Sequence, residues 1–227
     1  MDLVARAARL GLVLFRTTIT DFQLLTDDPD TGFNEVKNAG EARAQGVELD
    51  GVWLALDWLT LRGSLGMNDS EFVEFPFGPC TGDREDIDGD GDPRCDLSGR
   101  SIHQAPQWVV TLIPSLRFPL GRLPVLGTLP LVGAGLDLVG SLTVEYRDTQ
   151  LLDATLDPRT RQGSFFRFDA NVGFGNARQG WSLRVTAQNL TDEIVADNSR
   201  QVSLLPGHYV RGPEPPRHVF GELRWSF

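Results

Sequence analysis

Apolar and polar residues alternate along much of this chain, most clearly at its end. From Val219 to Phe227, the odd-numbered positions carry apolar residues or glycine and the even-numbered positions are polar, except at Phe220. A period of two predicts a β-strand that has one apolar and one polar face. We therefore expect the chain to end on such a strand.

The same alternation recurs upstream and predicts about eight strands, with no helix between them. The strands are expected at about 10–26, 34–55, 59–68, 104–119, 131–148, 166–174, 181–188 and 217–227. The polar connections between them alternate in length. The long ones are 27–33, 74–103, 149–163 and 191–216, and the short ones lie near 56, at 121–130 and at 176–180.

Connections that sort by length are typical of outer-membrane barrels, which have short periplasmic turns and long external loops. Charged residues such as Arg62 and Arg184 repeatedly lie on the face opposite the aliphatic one. An Arg on the lipid face would cost about 2–4 kcal/mol at mid-membrane, so this face is expected to line a wet interior. The prediction is an all-β, antiparallel transmembrane β-barrel fragment; the alternative is a secreted β-sandwich, whose apolar faces meet each other.

Composition and charge are compatible with this interpretation. The 227 residues are 41% hydrophobic, and they contain no apolar run of the roughly 20 residues that a transmembrane helix needs. A formal charge of −10 argues against a nucleic-acid partner. No signal peptide is visible at the N-terminus, so we expect the chain to be the C-terminal part of a longer protein.

Four stretches together resemble the C-terminal barrel of TonB-dependent outer-membrane receptors. They are 38–50, NAGEARAQGVELD; 96–106, DLSGRSIHQAP; 187–193, AQNLTDE; and 224–227, RWSF. The resemblance implies that residues 1–227 are barrel, without the N-terminal plug domain, in the bacterial outer membrane. It further implies a receptor rather than an enzyme, whose parent imports a scarce ligand such as an iron–siderophore. The implied partners are outer-membrane lipid, that ligand, and TonB through the missing N-terminal part.

A small autonomous outer-membrane barrel, acting as an enzyme, porin or adhesin, is the alternative function. Eight strands are enough for such a barrel. Asp148, Asp153 and His208 would be its candidate catalytic residues, although no nucleophile motif accompanies them.

Several residues are candidates for defined roles. The candidate residues for binding an anionic iron chelate are Arg147, Arg161, His208 and Tyr209. Asn189 and Asp192 are expected to hydrogen-bond nearby backbone where a strand enters a loop, and Gly40 and Gly46 are expected to permit a bulge or a close backbone approach. The expected periplasmic aromatic girdle is Trp53, Trp58, Trp181 and Trp225, and the expected outer one is Phe72, Tyr146 and Phe165.

The acidic segment between Cys80 and Cys95 is the most site-like part of the sequence. The two cysteines are expected to form a disulfide, because they are close in sequence and an exported protein meets an oxidising compartment. The predicted calcium ligands are the alternating carboxylates of Asp86, Asp88, Asp90 and Asp92. The twelfth position of the calcium-loop pattern is Leu97 rather than Glu, so a solvated acidic loop is the alternative.

We expect the oxidised 80–96 peptide to bind calcium with a Kd of about 10⁻⁴–10⁻³ M. Closing the loop through the disulfide contributes about 3 kcal/mol in the chain-entropy model, which brings the carboxylates together. Isothermal titration calorimetry would measure the binding, with the Asp88→Ala, Asp90→Ala peptide as the control. Absence of heat at millimolar calcium in the unsubstituted peptide would leave only the solvated loop.

Overall fold

The computed structural model describes residues 7–27, 34–79, 95–129, 135–176, 180–202, 205 and 208–226. Within these ranges the chain is almost entirely β-strand, with three single-turn 3₁₀ helices at Leu120–Arg122, Leu126–Thr128 and Pro158–Thr160. None of the helices in these ranges has the length and apolar content required to cross a membrane.

Eight strands form one antiparallel sheet in which neighbours in sequence are neighbours in space. They are β1 (Ala8–Asp27), β2 (Asn34–Leu56), β3 (Leu59–Glu74), β4 (Trp108–Pro119), β5 (Asp137–Arg147), β8 (Phe165–Asn176), β9 (Trp181–Gln188) and β12 (His218–Trp225). Strands β1 and β12 are the two edges of the sheet, so the barrel is not closed by the described residues. The predicted all-β antiparallel fragment is confirmed.

Two further hairpins lie in connections that the sequence predicted as loops. β6 (Gln150–Leu151) pairs with β7 (Arg161–Gln162), and β10 (Ala196–Gln201) pairs with β11 (Tyr209–Pro213). These strands were missed because they are short and their polar residues do not alternate with apolar ones. The fourth long strand also begins later than expected, because Gln104 has a φ of 55° and Pro106 has no backbone N–H to donate.

The register of the sheet gives each face one chemical character. One apolar row crosses five strands through directly paired residues, Phe118, Leu138, Phe174, Leu183 and Leu223. The opposite face carries charged pairs such as Glu145 opposite Arg167 and Arg184 opposite Glu222. Because opposite residues in an antiparallel ladder point to the same side, these rows define an apolar face and a polar face.

The apolar face ends abruptly at the end of the sheet from which the long connections leave. We call this the outer end. Val47 pairs with Met67 in the last apolar row between β2 and β3. In the next row on that face the Gln45 amide donates to Asp69 at 3.0 Å, followed by an ion pair between Arg43 and Glu71. From Leu59 to Met67 the apolar stretch of β3 is about 27 Å long at ~3.4 Å per residue, which fits a tilted strand in an apolar band of ~25 Å.

Aromatic residues mark the opposite end of the sheet, which we call the turn end. Trp181 and Trp225 are directly paired on the apolar face, and Trp53 lies on that face of β2. Trp58, in the turn between β2 and β3, makes an edge contact with Phe118, with ring centroids 5.9 Å apart. All four Trp residues of the predicted girdle thus lie at one end.

The predicted outer girdle is only partly correct. Tyr146 lies on the apolar face with its ring 4.9 Å from that of Phe166. Phe72 instead has no exposed surface and belongs to the core beneath the outer loops. Phe165 is 5% exposed on the polar face, with the Arg147 guanidinium 5.6 Å from its ring centroid. The prediction was wrong for Phe72 and Phe165 because the sequence did not define which face they occupy at the strand ends.

An arginine on the apolar face should destabilise the barrel, whereas one on the polar face should not. We expect Leu142→Arg to lower the free energy of unfolding in a bilayer by about 2–4 kcal/mol. Thr143→Arg is the matched control, since Thr143 lies on the polar face opposite Asp169. Urea unfolding of the membrane-inserted protein would measure both. Equal losses for the two variants would contradict the assignment of faces.

Candidate functional site at the outer loops

Three of the long connections at the outer end have residues that the structure describes, and we call them L1 (75–107), L2 (148–164) and L3 (189–217). L1 packs back onto the sheet through a small core: Phe72, Phe75 and Leu97 are fully buried. The Leu97 amide donates to the Phe75 carbonyl at 2.9 Å, and the rings of Phe72 and Phe75 are 5.1 Å apart. Leu156 of L2 joins the same cluster, so the two loops share one core.

Asp157 organises the turn of L2. Its carboxylate accepts a hydrogen bond from the backbone amide of Arg159 at 2.7 Å and from the guanidinium of the same residue at 2.5–3.0 Å. The residue is 1% exposed, and burial by itself would raise its pKa. The hydrogen bonds from Arg159 and Tyr209 outweigh burial, so the pKa of Asp157 is lowered and the carboxylate stays charged.

L3 is fastened to L2 through that carboxylate. The Tyr209 hydroxyl donates to Asp157 Oδ2 at 2.5 Å, and the Arg159 guanidinium lies 5.2 Å from the Tyr209 ring centroid. Burial, followed by the hydrogen bond to Asp157, raises the pKa of Tyr209, which therefore remains a donor. Nearby, Arg211 donates to the carbonyl of Arg159 at 2.5 Å. We call this group of contacts the Asp157–Tyr209 clamp.

A second contact fixes the base of the same two loops. The backbone amide of Ala196 donates to the side-chain oxygen of Gln162 at 3.0 Å, and both residues are buried. L2 therefore contacts both ends of the β10–β11 hairpin of L3, near Ala196 at one end and near Tyr209 at the other. Their relative position is set by hydrogen bonds rather than by a large apolar core.

A pocket lies between L1 and L2 on the polar side of the sheet. Its wall includes Asn68 and Ser70 of β3, and the other lining residues are Ser101, Ile102, Ala105, Gln107, Asp148, Thr149, Gln150, Leu151 and Arg161. Six of these eleven residues carry an amide or a hydroxyl, and one arginine and one aspartate join them. Arg161 Nε donates to Thr149 Oγ1 at 2.9 Å, which holds the guanidinium at the wall. Such a lining suits a polar ligand that carries an anionic group.

The structure places the four predicted ligand residues in different settings. Arg161 lines the pocket. Arg147 forms an ion pair with Glu145 at 2.7 Å on the polar face of β5, and Tyr209 belongs to the clamp. His208 lies at the start of the second strand of the L3 hairpin, where its carbonyl accepts from the amide of Val202 at 2.8 Å. A ligand-binding role for these residues remains a prediction.

Sequence reasoning missed Asp157 and Gln162, which hold the loops together. Asp157 precedes Pro158, and that pair indicates a turn, but nothing in the sequence identified Tyr209 as its partner 52 residues away. Gln162 is 34 residues from Ala196, in a stretch with no alternation. Contacts between loops distant in sequence leave no periodic signal.

The hydrogen bond to nearby backbone predicted for Asn189 is confirmed, whereas Asp192 bonds to backbone 25 residues away in sequence. The side chain of Asn189 donates to the Glu193 carbonyl at 2.9 Å and accepts from the Glu193 amide at 2.8 Å. Asp192 accepts from the backbone amide of Arg217 at 2.9 Å, which joins the two ends of L3. Gly46 is confirmed as a close approach, since a Cβ there would clash with the Met67 carbonyl.

The predicted calcium ligands Asp86, Asp88, Asp90 and Asp92 lie outside the described residues, and so does Cys80. Cys95 takes part in a disulfide bond. It also forms an isolated bridge with Gly78, through paired backbone hydrogen bonds of 2.8 and 3.2 Å. The calcium site and the pairing of Cys80 with Cys95 remain predictions.

A family model for the "TonB dependent receptor-like, beta-barrel" domain matches residues 3–190. The comparison with curated proteins finds no match.

Three solved receptors share the fold. The ferric yersiniabactin uptake receptor FyuA from Yersinia pestis has a TM-score of 0.69 at 19% identity, over 99% of this chain and 28% of its own. The siderophore receptor PiuA from Acinetobacter baumannii has a TM-score of 0.62 at 18% identity, over 96% and 26%. The ferric-catecholate import receptor Fiu from E. coli K12 has a TM-score of 0.59 at 16% identity, over 98% of this chain and 25% of its own. This chain thus spans about a quarter of each receptor's length.

Removing the Tyr209 hydroxyl should loosen L3 from L2. We expect Tyr209→Phe to reduce the protection of β10–β11 amides from hydrogen exchange by about 1–3 kcal/mol, since a buried carboxylate loses a donor. Tyr146→Phe is the control, because Tyr146 lies on the apolar face against Phe166. Unchanged exchange in Tyr209→Phe would show that the clamp does not hold the hairpin.

The same clamp should depend on pH. Because the pKa of Asp157 is lowered on folding, the clamp is fully stabilising above the ordinary value of 3.8 and weakens as pH falls through the lowered value. Without the Tyr209 hydroxyl the pKa of Asp157 rises, so the loss should begin at a higher pH. Hydrogen exchange followed from pH 6 downward on wild type and Tyr209→Phe would measure this difference.

Proposed function

The chain belongs to the TonB dependent receptor-like β-barrel family of the bacterial outer membrane, and from this premise we propose that it is the C-terminal barrel portion of a receptor that imports a scarce ligand. An iron–siderophore is the ligand class that best suits the names of its structural neighbours, which include ferric yersiniabactin and ferric-catecholate receptors. Energy would come from TonB, through a part of the receptor outside this chain.

The observation that carries the proposal is the interlocked set of outer loops around a polar pocket. L1 and L2 share an apolar core, and L2 and L3 are joined by the Asp157–Tyr209 clamp. Loops held in this way form a preorganised surface above the polar face of the barrel. A ligand arriving from outside contacts this surface first.

Arg161 is the residue that would recognise the charge of the ligand. Its Nε is engaged by Thr149, so the guanidinium is oriented before a ligand binds. Asn68, Ser70 and Gln107 supply neutral donors and acceptors around it. A ferric chelate with carboxylate or phenolate oxygens would find a charge-assisted hydrogen bond from Arg161 and neutral hydrogen bonds from the other three.

In this arrangement Arg147 and Tyr209 act differently from Arg161. The Glu145 carboxylate already partners Arg147, so this arginine contributes to the charge pattern of the polar face. Tyr209 acts by positioning L3 through Asp157 rather than by contacting the ligand. A substitution of Tyr209 should therefore change how fast a ligand binds and leaves more than which ligand is chosen.

Uptake of radiolabelled ferric siderophores tests the function. Cells that express the intact receptor as their only siderophore receptor should accumulate iron from a hydroxamate, catecholate or phenolate siderophore in a panel. Accumulation should require TonB and the proton gradient. Passive uptake that persists without TonB would instead support a porin, and no uptake of any panel member would leave the iron–siderophore class unsupported.

Arg161→Ala tests the pocket. We expect about 10–100-fold weaker binding of the transported ligand, the loss associated with one charge-assisted hydrogen bond of about 1.5–3 kcal/mol. Arg161→Lys should restore part of the affinity. Arg200→Ala is the matched control, because Arg200 is an exposed arginine of β10 in L3. Equal affinities of Arg161→Ala and the control would exclude Arg161 from ligand recognition.

A further inference from the structure

The connection between β4 and β5 differs from every other connection whose residues the structure describes. Residues 120–129 read LGRLPVLGTL, so they are mostly aliphatic and contain one basic residue, Arg122, and no acidic residue. The protein as a whole carries a formal charge of −10. Apolar content and local positive charge in an exposed connection require an explanation, because solvent-facing turns are normally polar.

The register places this segment at the level of the aromatic girdle. Asp137 pairs with Gly175, and Gly175 pairs with Ser182, the neighbour of Trp181. The Leu120 amide donates to the Leu136 carbonyl at 3.0 Å, which closes the connection two residues beyond the Phe118–Leu138 row. The segment therefore leaves the sheet where the Trp181–Trp225 pair marks the boundary of the apolar face.

Three of its aliphatic side chains are exposed, and part of its backbone is hydrogen-bonded within the segment. Leu123 is 37% exposed, Val125 79% and Leu129 50%. The Gly127 amide donates to the Leu123 carbonyl at 2.7 Å, and the Thr128 hydroxyl donates to the Val125 carbonyl at 2.8 Å. These bonds satisfy part of the segment's backbone, and the remaining groups stay hydrated at the level of the lipid headgroups, outside the hydrocarbon core.

We propose that residues 120–129 lie in the periplasmic leaflet of the outer membrane, at the level of the lipid headgroups. Leu123, Val125 and Leu129 contact the upper part of the acyl chains, and Arg122 pairs with lipid phosphate. Segments with an apolar surface and a basic residue lie in this region of a bilayer. The segment anchors the turn end of the barrel in the way that the Trp residues do.

Lipid is the occupant that the observations favour, for two reasons. The exposed aliphatic segment follows the end of β4, directly beyond Phe118 and Leu138, which are paired on the apolar face. Its single charge is complementary to phosphate, whereas the long connections at the outer end include the acidic segment between the two cysteines. Neither this position nor the charge depends on which ligand the receptor transports.

Spin-label depth measurements test the proposal on the intact receptor in vesicles of phosphatidylethanolamine and phosphatidylglycerol. Nitroxides on Leu123→Cys, Val125→Cys and Leu129→Cys would be compared for collisions with oxygen, which partitions into lipid, and with a water-soluble nickel chelate. Leu142→Cys calibrates the apolar face. Asp57→Cys is the matched control, because Asp57 is an exposed polar residue of another connection at the turn end. Unsubstituted protein reports any labelling of native cysteines.

We expect the collision rate with oxygen to be at least threefold higher for the labels at 123, 125 and 129 than for the label at Asp57→Cys. The collision rate with the nickel chelate should be lower at 123, 125 and 129 than at Asp57→Cys. Arg122→Gln should move the label at 125 toward water. Nickel accessibility at 123, 125 and 129 equal to that of the control would overturn the proposal. Low accessibility to both reagents at these positions would also overturn it, since it would mean that a protein surface covers the segment.

Discussion

The backbone hydrogen-bond ladder is the constraint on which the rest of this structure depends. In hydrocarbon an unpaired N–H or C=O group costs several kcal/mol, so a membrane-spanning strand must pair along its whole length. Eight strands pair in chain order, with the β4–β5 ladder interrupted at Ile113 and Pro114, and only the far sides of β1 and β12 lack a neighbouring strand in the described part of the sheet. Because the side chains have a period of two, the register of the ladder decides which residues meet lipid. The row through Leu138 and the Arg184–Glu222 pair follow from the same register.

The ladder also determines how the outer loops are assembled. Each long loop begins and ends on adjacent strands, so L1, L2 and L3 emerge side by side at one end of the sheet. At that end the two faces of the sheet differ from the rest of the barrel. Charged pairs such as Arg43 with Glu71 lie on the face that is apolar within the membrane, and Phe72 is buried on the face that is polar there. This difference lets an apolar core form beneath the loops, above the membrane, and the Asp157–Tyr209 clamp adds L3 to it.

The two ends of the barrel are adapted to different surroundings. At the outer end, an apolar core and specific hydrogen bonds hold long loops around a pocket whose lining includes Asn68, Ser70 and Arg161. At the turn end, Trp181, Trp225 and the aliphatic connection after β4 present apolar surface at the membrane boundary. A receptor that takes its ligand from outside needs structured loops on that side alone, whereas the turn end mainly fixes the depth of the barrel in the membrane.

The sequence by itself determined the eight long strands, their faces over most of their length and the side on which the long loops lie, because alternation is a local signal that repeats along those strands. It also identified Asn189, which bonds to the backbone of Glu193, and Gly46, where the backbone approaches closely. Only the tertiary structure showed that Phe72 and Phe165 turn away from lipid, and that Asp157 meets Tyr209 across 52 residues. Such contacts join loops that have no periodicity, and they exist only because the ladder brings the ends of distant strands together.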